Sequence, residues 1–275
     1  MLLEKRMMQA GPVTRFLNPE GCGRLPAMKI GKYYPNELLA LLCLMLLGEL
    51  LVAVLAPSPL APAMQHYRVF HLLQMAALIV LVVLSMDLLR RGSLLVVAGL
   101  LLSLMGDLIN SFLVDLSHLL EPQILLSIPA FVGAHLCYIA AFSSLLRERQ
   151  GTGIKWRTLL PISLPLALLL WWLVIDAAAP PLLKSLSVGY ALVVTLMGLA
   201  AWHYARRLRG AAWIPAAGGL LFVLSDSLLG LFLLDGPARP LWASQAIWIS
   251  YFLAQALICA LVIPRPARRG EHAGH

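Results

Sequence analysis

Eight apolar stretches, at about 37–56, 69–89, 93–114, 124–146, 158–176, 183–205, 212–234 and 241–263, are each long enough to cross a bilayer. This pattern leaves the chain little choice. A backbone surrounded by lipid must satisfy its own polar groups, and segments of this length do so as helices. With 60% hydrophobic and only 12% charged residues among 275, a water-soluble enzyme fold is excluded. The reading is an all-α, polytopic membrane bundle of eight transmembrane helices.

The breaks between stretches carry ordinary helix punctuation: Pro57, Pro59 and Pro62, then Arg90-Arg91-Gly92, Glu121-Pro122, the Arg147 to Arg157 stretch, Pro180-Pro181, Arg206 to Gly210, and Asp235-Gly236-Pro237. Residues 1–35 read as a basic N-terminal tail, 36–263 as the eight-helix domain and 264–275 as a C-terminal tail. Placing the first tail in the cytoplasm puts 18 of the 21 Lys and Arg residues on that side, leaving Arg68, Lys184 and Arg239 opposite. Cytoplasmic loops retain basic residues, so both termini are expected inside. The net charge of +8 is thereby explained by topology, and nucleic acid is not an expected partner. The four cysteines, Cys22, Cys43, Cys137 and Cys259, lack CxxC spacing and suggest neither zinc nor disulfides.

A charge at the centre of a spanning helix costs about 2.5 to 3.5 kcal/mol, so every intramembrane carboxylate needs a reason. Three fall in predicted spans: Glu49 in the first, Asp107 in the third and Asp226 in the seventh. Asp107 and Asp226 each lie about 14 residues past a cytoplasmic flank, which puts both at one depth, roughly 20 Å up at 1.5 Å per residue. His135 and Tyr138 on the fourth span, and Tyr251 and Gln255 on the eighth, come within several ångströms of that level. The spacings Phe131, His135, Tyr138, Phe142 and Ser103, Asp107, Asn110 each define one helix face, as do Trp248, Tyr251 and Gln255. Six polar groups from four helices should therefore converge on a common cavity. No Lys or Arg occupies the inner part of a predicted span, so the carboxyls must share protons or bond neutral donors. Glu49 has no companion motif and could assist the pair or cap a helix contact. Trp171-Trp172 reads as an interfacial anchor. Gly106-Asp107 before Phe112 and Asp115 is echoed by Ser225-Asp226 before Phe232 and Asp235, consistent with a duplicated four-helix unit.

No GxSxG, HExxH, GxxxxGK[ST] or GxGxxG pattern occurs, and His71 and His203 lie too far from the pair in depth to complete a metal site. Neither metal nor cofactor is expected. What remains is a carboxyl pair in a lipid-accessible pocket, able to supply an acid and a base. Such a pair suits cleavage of an ether-like bond through an oxocarbenium ion. It suits proton-coupled transport of a lipid or small solute equally well.

Gly106-Asp107, Phe131-x-Gly133-x-His135-x-x-Tyr138, Ser225-Asp226 and Tyr251-x-x-x-Gln255, in this order over eight spans, resemble the YhhN-type lysoplasmalogenase family across residues 37–263. A Lys-Pro pair that many members carry in the second helix is replaced here by the Phe70-His71-Leu72-Leu73-Gln74-Met75 stretch. The resemblance implies hydrolysis of the vinyl-ether bond of lysoplasmalogens to a fatty aldehyde and glycerophospho-ethanolamine or -choline. It implies Asp107 and Asp226 as catalytic groups, with His135, Tyr138, Tyr251, Gln255, Asn110, Ser225 and Glu49 in support. The substrate would be a lysophospholipid taken from the bilayer, with no obligate protein partner. The setting would be a bacterial inner membrane or, in a eukaryote, the endoplasmic reticulum.

Overall fold

The computed structural model describes residues 61–86, 90–111, 119, 123–175, 179–232 and 240–262, with isolated helical positions at 40, 43, 44, 47 and 48. Seven helices run through these segments: α1 (Ala61–Ser85), α2 (Arg91–Asn110), α3 (Ile124–Gln150), α4 (Trp156–Val174), α5 (Pro181–Leu208), α6 (Trp213–Leu231) and α7 (Leu241–Cys259). All seven are long and apolar enough to cross a membrane, and no strand occurs among the described residues. They correspond to the second through eighth predicted spans. The first span is described only at the isolated positions, where Gly48 abuts the ring of Phe70. Glu49 and both tails lie outside the described residues.

Two boundaries differ from the sequence reading for local reasons. α1 starts eight residues before position 69 and takes in Pro62, which sits in the first turn, where a missing N–H has no intrahelical partner to lose. α3 continues through Arg147 and Arg149 to Gln150 and stops at Gly151, whose φ of 69° is the left-handed conformation that ends a helix most easily with glycine. The two arginines then occupy the last turn, where they complement the negative end of the helix dipole.

Within the bundle, α2 packs most extensively on α3 and α6 on α7, while α5 bridges α3 and α6. Glycines set these distances. A Cβ at Gly99 would strike the Tyr138 ring, and one at Gly106 would strike Phe131, so α3 aromatics lie directly on the α2 backbone. A Cβ at Gly218 would come within 2.7 Å of the Ala254 carbonyl oxygen on the α7 backbone. α4 is peripheral and apolar all round, with Leu160, Ile162, Leu164, Leu169, Trp172 and Leu173 exposed, as expected of a lipid-facing helix.

One end of the bundle is basic. Arg90 at the start of α2 pairs with Glu148 near the end of α3 at 3.1 Å, and Gln150 donates to the carbonyl of Arg207 at 2.8 Å. These contacts bring the basic termini of α2, α3 and α5 together. At the opposite end, Arg68 donates to the Ser111 carbonyl at 3.1 Å and Gln123 donates to that of Ile109 at 2.8 Å.

The α6–α7 contact yields a test. A side chain at Gly218 would meet backbone atoms that cannot rotate away, so Gly218→Val should destabilise by about 1 to 3 kcal/mol as an overpacked contact. Gly189→Ala, with nothing within 4 Å, should be neutral or gain about 0.5 to 1 kcal/mol from helix propensity. Thermal unfolding of both variants in detergent reads the difference.

Candidate active site

Asp107 lies on α2 one turn from its end and is 4% exposed. Its Oδ2 accepts a hydrogen bond from the Tyr251 hydroxyl of α7 at 2.8 Å. Asp226 lies on α6, and its Oδ2 accepts from the Tyr190 hydroxyl of α5 at 2.8 Å. The same oxygen is 3.2 Å from His135 Nε2 of α3, which is in turn 3.2 Å from the Tyr190 hydroxyl. Asp226, His135 and Tyr190 therefore form a closed triangle from three helices. A third contact joins α3 to α7: Tyr138 donates to Gln255 Oε1 at 2.6 Å, with both residues fully buried.

Phe222 connects these groups. Its ring meets His135 edge-on with centroids 4.6 Å apart, Tyr251 edge-on at 5.3 Å and Tyr138 at 6.2 Å. It stands four residues before Asp226, on the same face of α6. The Asp107–Tyr251 pair and the Asp226 triangle thus pack against one aromatic ring. Such edge-to-face contacts fix ring orientation as well as burying area.

A partly open cavity adjoins the triangle. Asp226 and Tyr190 form part of its wall, together with Asn110, Phe131, Trp171 and Thr195. Asp107, His135, Tyr138, Tyr251 and Gln255 are not among the residues lining it, so of the six polar groups expected to share one cavity only Asp226 reaches its wall, and the others pack behind it. Phe131 stands in the way, packing on Gly106 and meeting the Tyr251 ring edge-on at 6.4 Å. The two carboxyls are therefore inequivalent: Asp226 faces the cavity, and Asp107 lies behind an aromatic wall.

The residues singled out from sequence divide accordingly. Asp107, Asp226, His135, Tyr138, Tyr251 and Gln255 gather around Phe222, and Asn110 reaches the cavity. Ser225 does not join them. It is 1% exposed and donates to the Ile247 carbonyl at 3.1 Å, tying α6 to α7. Trp248 stacks on His71 of α1 at 4.0 Å and meets Tyr251 edge-on, so α1 buttresses the α7 face. The tryptophan pair splits, which corrects the reading of both as anchors. Trp172 is 70% exposed, whereas Trp171 lines the cavity and donates to Ser187 Oγ at 2.8 Å.

Tyr190, Phe222 and Trp171 were not among the expected site residues. Tyr190 sits in a predicted span without a charge at that depth, and its signal was a lone phenol one turn from Ser187 in an apolar run. Phe222 could have been reached by stepping back one turn from Asp226. Among the described residues no group of three or more His, Cys, Asp or Glu could hold a metal ion.

No curated protein and no solved structure matches the chain. The YhhN family profile matches residues 66–262, a stretch holding both aspartates, the His135 triangle and the whole cavity wall, and the chain therefore belongs to the YhhN family.

Proposed function

We propose that this chain hydrolyses the vinyl-ether bond of lysoplasmalogens inside the membrane. The observation that carries the reading is Asp226 on the wall of a largely apolar cavity, with its His135 partner and the Tyr251 partner of the enclosed Asp107 packed on the same Phe222 ring. A vinyl ether is stable to base and yields to acid at the carbon remote from oxygen, so its hydrolysis needs a proton donor in a dry pocket more than a nucleophile. One carboxyl of the pair delivers that proton. The double bond becomes a C–H bond and an oxocarbenium ion, which the ionised partner carboxylate steadies through space. With both carboxyls then ionised, Asp226 on the cavity wall takes a proton from the attacking water as a general base. The resulting hemiacetal collapses, its carbon–oxygen bond to glycerol breaking to release a fatty aldehyde and the glycerophospho-alcohol. One water is consumed, and the proton returns to the pair. His135 and Tyr190 hold Asp226 in place throughout, and Tyr251 holds Asp107.

The cavity's polar lining supports a lysolipid in particular. Ser127 and Ser227 donate to backbone carbonyls of their own helices, those of Ile124 and Val223, and so present acceptor oxygens, while Ser187 already accepts from Trp171. The Asn110 amide oxygen is buried and receives no hydrogen bond among the described residues. A few acceptors on an otherwise apolar wall suit a ligand that brings a single hydroxyl donor, and a lysolipid has a free glycerol hydroxyl next to its ether where a diradyl lipid has an ester.

Purified protein incubated with a vinyl-ether lysolipid should release aldehyde, and the saturated alkyl-ether analogue should release none. Asp107→Asn and Asp226→Asn should each lose at least about 10²- to 10⁴-fold in turnover while remaining folded. Activity within tenfold of wild type in both would remove the mechanism, and absence of aldehyde from the native chain would favour a carrier built on the same pair. Tyr190→Phe removes a donor to Asp226 but not the substrate wall, so kcat should fall with KM little changed. Asn110→Ala should instead raise KM about 2- to 10-fold, the worth of one hydrogen bond, and narrow the preference for lysolipid over diradyl lipid.

A further inference from the structure

The cavity is not centred in the bundle. Its lining comes from Asn110 at the end of α2, from Ile124 to Phe131 at the start of α3, from Leu170 to Ile175 at the end of α4, and from the corresponding ends of α5 and α6. Every one of these is the end remote from the basic termini, where nine of the 11 described Lys and Arg residues collect. Asp107 is 16 residues from Arg91 and three from the other end of α2, or about 24 Å from one and 5 Å from the other. Asp226 is 13 residues from the start of α6 and five from its end, about 20 Å and 8 Å.

These depths discriminate between the two leaflets. In a lysolipid the vinyl ether follows the glycerol directly, so the reactive bond rests just inside the hydrocarbon boundary of its own leaflet. A lipid in the leaflet at the cavity end brings that bond to the level of Asp226 without leaving its natural depth, and its tail points toward the midplane. A lipid in the opposite leaflet would hold the bond roughly 20 Å away across a hydrocarbon core of about 30 Å. Its charged head group would have to cross that core to react.

We infer that the cavity draws its lysolipid from the leaflet facing away from the basic loops, and releases the polar product on that side. By the positive-inside rule this is the extracytoplasmic leaflet. The inference deepens the lysolipid reading and rests on it for the identity of the ligand, while the sidedness of the cavity can be measured without any turnover.

Full-length protein with Cys22, Cys43, Cys137 and Cys259 changed to Ala would carry a single probe, either Ser227→Cys in the cavity wall or Thr152→Cys in the exposed α3–α4 turn. In right-side-out membrane vesicles, a small membrane-impermeant thiosulfonate added outside should label Ser227→Cys. It should leave Thr152→Cys untouched until the vesicles are opened. The alkyl-ether lysolipid should slow labelling of Ser227→Cys several-fold. In sealed vesicles containing the native chain, vinyl-ether lysolipid placed in the leaflet away from the Thr152 face should yield aldehyde at least tenfold faster than lipid placed in the other. Labelling of Ser227→Cys from the Thr152 face or from neither face, or equal rates from both leaflets, overturns the inference. Absence of aldehyde even in detergent would strike the proposed hydrolysis alone, because the labelling pattern would still decide which face the cavity serves.

Discussion

A carboxyl buried at membrane depth must be met by something, and in this bundle Asp107 is met by a phenol hydroxyl and Asp226 by a phenol hydroxyl and an imidazole. That choice shapes much of the fold. Each hydroxyl comes from a different helix than the aspartate it binds, so satisfying the two carboxyls ties α2 to α7 and α6 to α5 and α3. Phe222 then closes the arrangement by packing against His135, Tyr138 and Tyr251 at once. Held by phenols and an imidazole, a carboxyl keeps its capacity to gain and lose a proton, whereas a salt bridge to Arg or Lys would hold it ionised.

The helices exist largely to hold these contacts at the right separation. Small residues let α2 lie close on α3, so that Tyr138 and Phe131 fit against Gly99 and Gly106. The same economy at Gly218 seats α7 on α6, which brings Tyr251 toward the Phe222 ring. α4 contributes little to the core, yet it supplies Trp171, Leu170 and Val174 to the cavity. A peripheral helix thus forms the outer wall of the chamber, and the cavity lies where lipid is close at hand.

Much of this could be read directly from residue order. Apolar runs of spanning length located the seven described helices, because hydropathy over about 20 residues reports on lipid burial directly. Equal distances from the basic flanks placed Asp107 and Asp226 at one level, since helical rise is nearly constant. His135, Tyr138, Tyr251 and Gln255 followed from helical periodicity. Rotation about each helix axis, and the choice of neighbour, did not follow. Nothing in the order of residues says that α5 faces α6, so Tyr190 went unrecognised. Nor does it show that Ser225 turns to the Ile247 carbonyl while its neighbour Asp226 turns to the cavity. The inequivalence of the two carboxyls, one on the cavity wall and one behind Phe131, is likewise a property of packing.

The account turns on a proton passing from the carboxyl pair to carbon. Hydrolysis of a vinyl-ether lysolipid in heavy water, with the aldehyde trapped as it forms and weighed by mass spectrometry, observes that transfer directly. One deuterium on the carbon next to the carbonyl is the predicted result. An aldehyde carrying none there would mean that the ether is cleaved without protonation of its double bond, and would contradict the account.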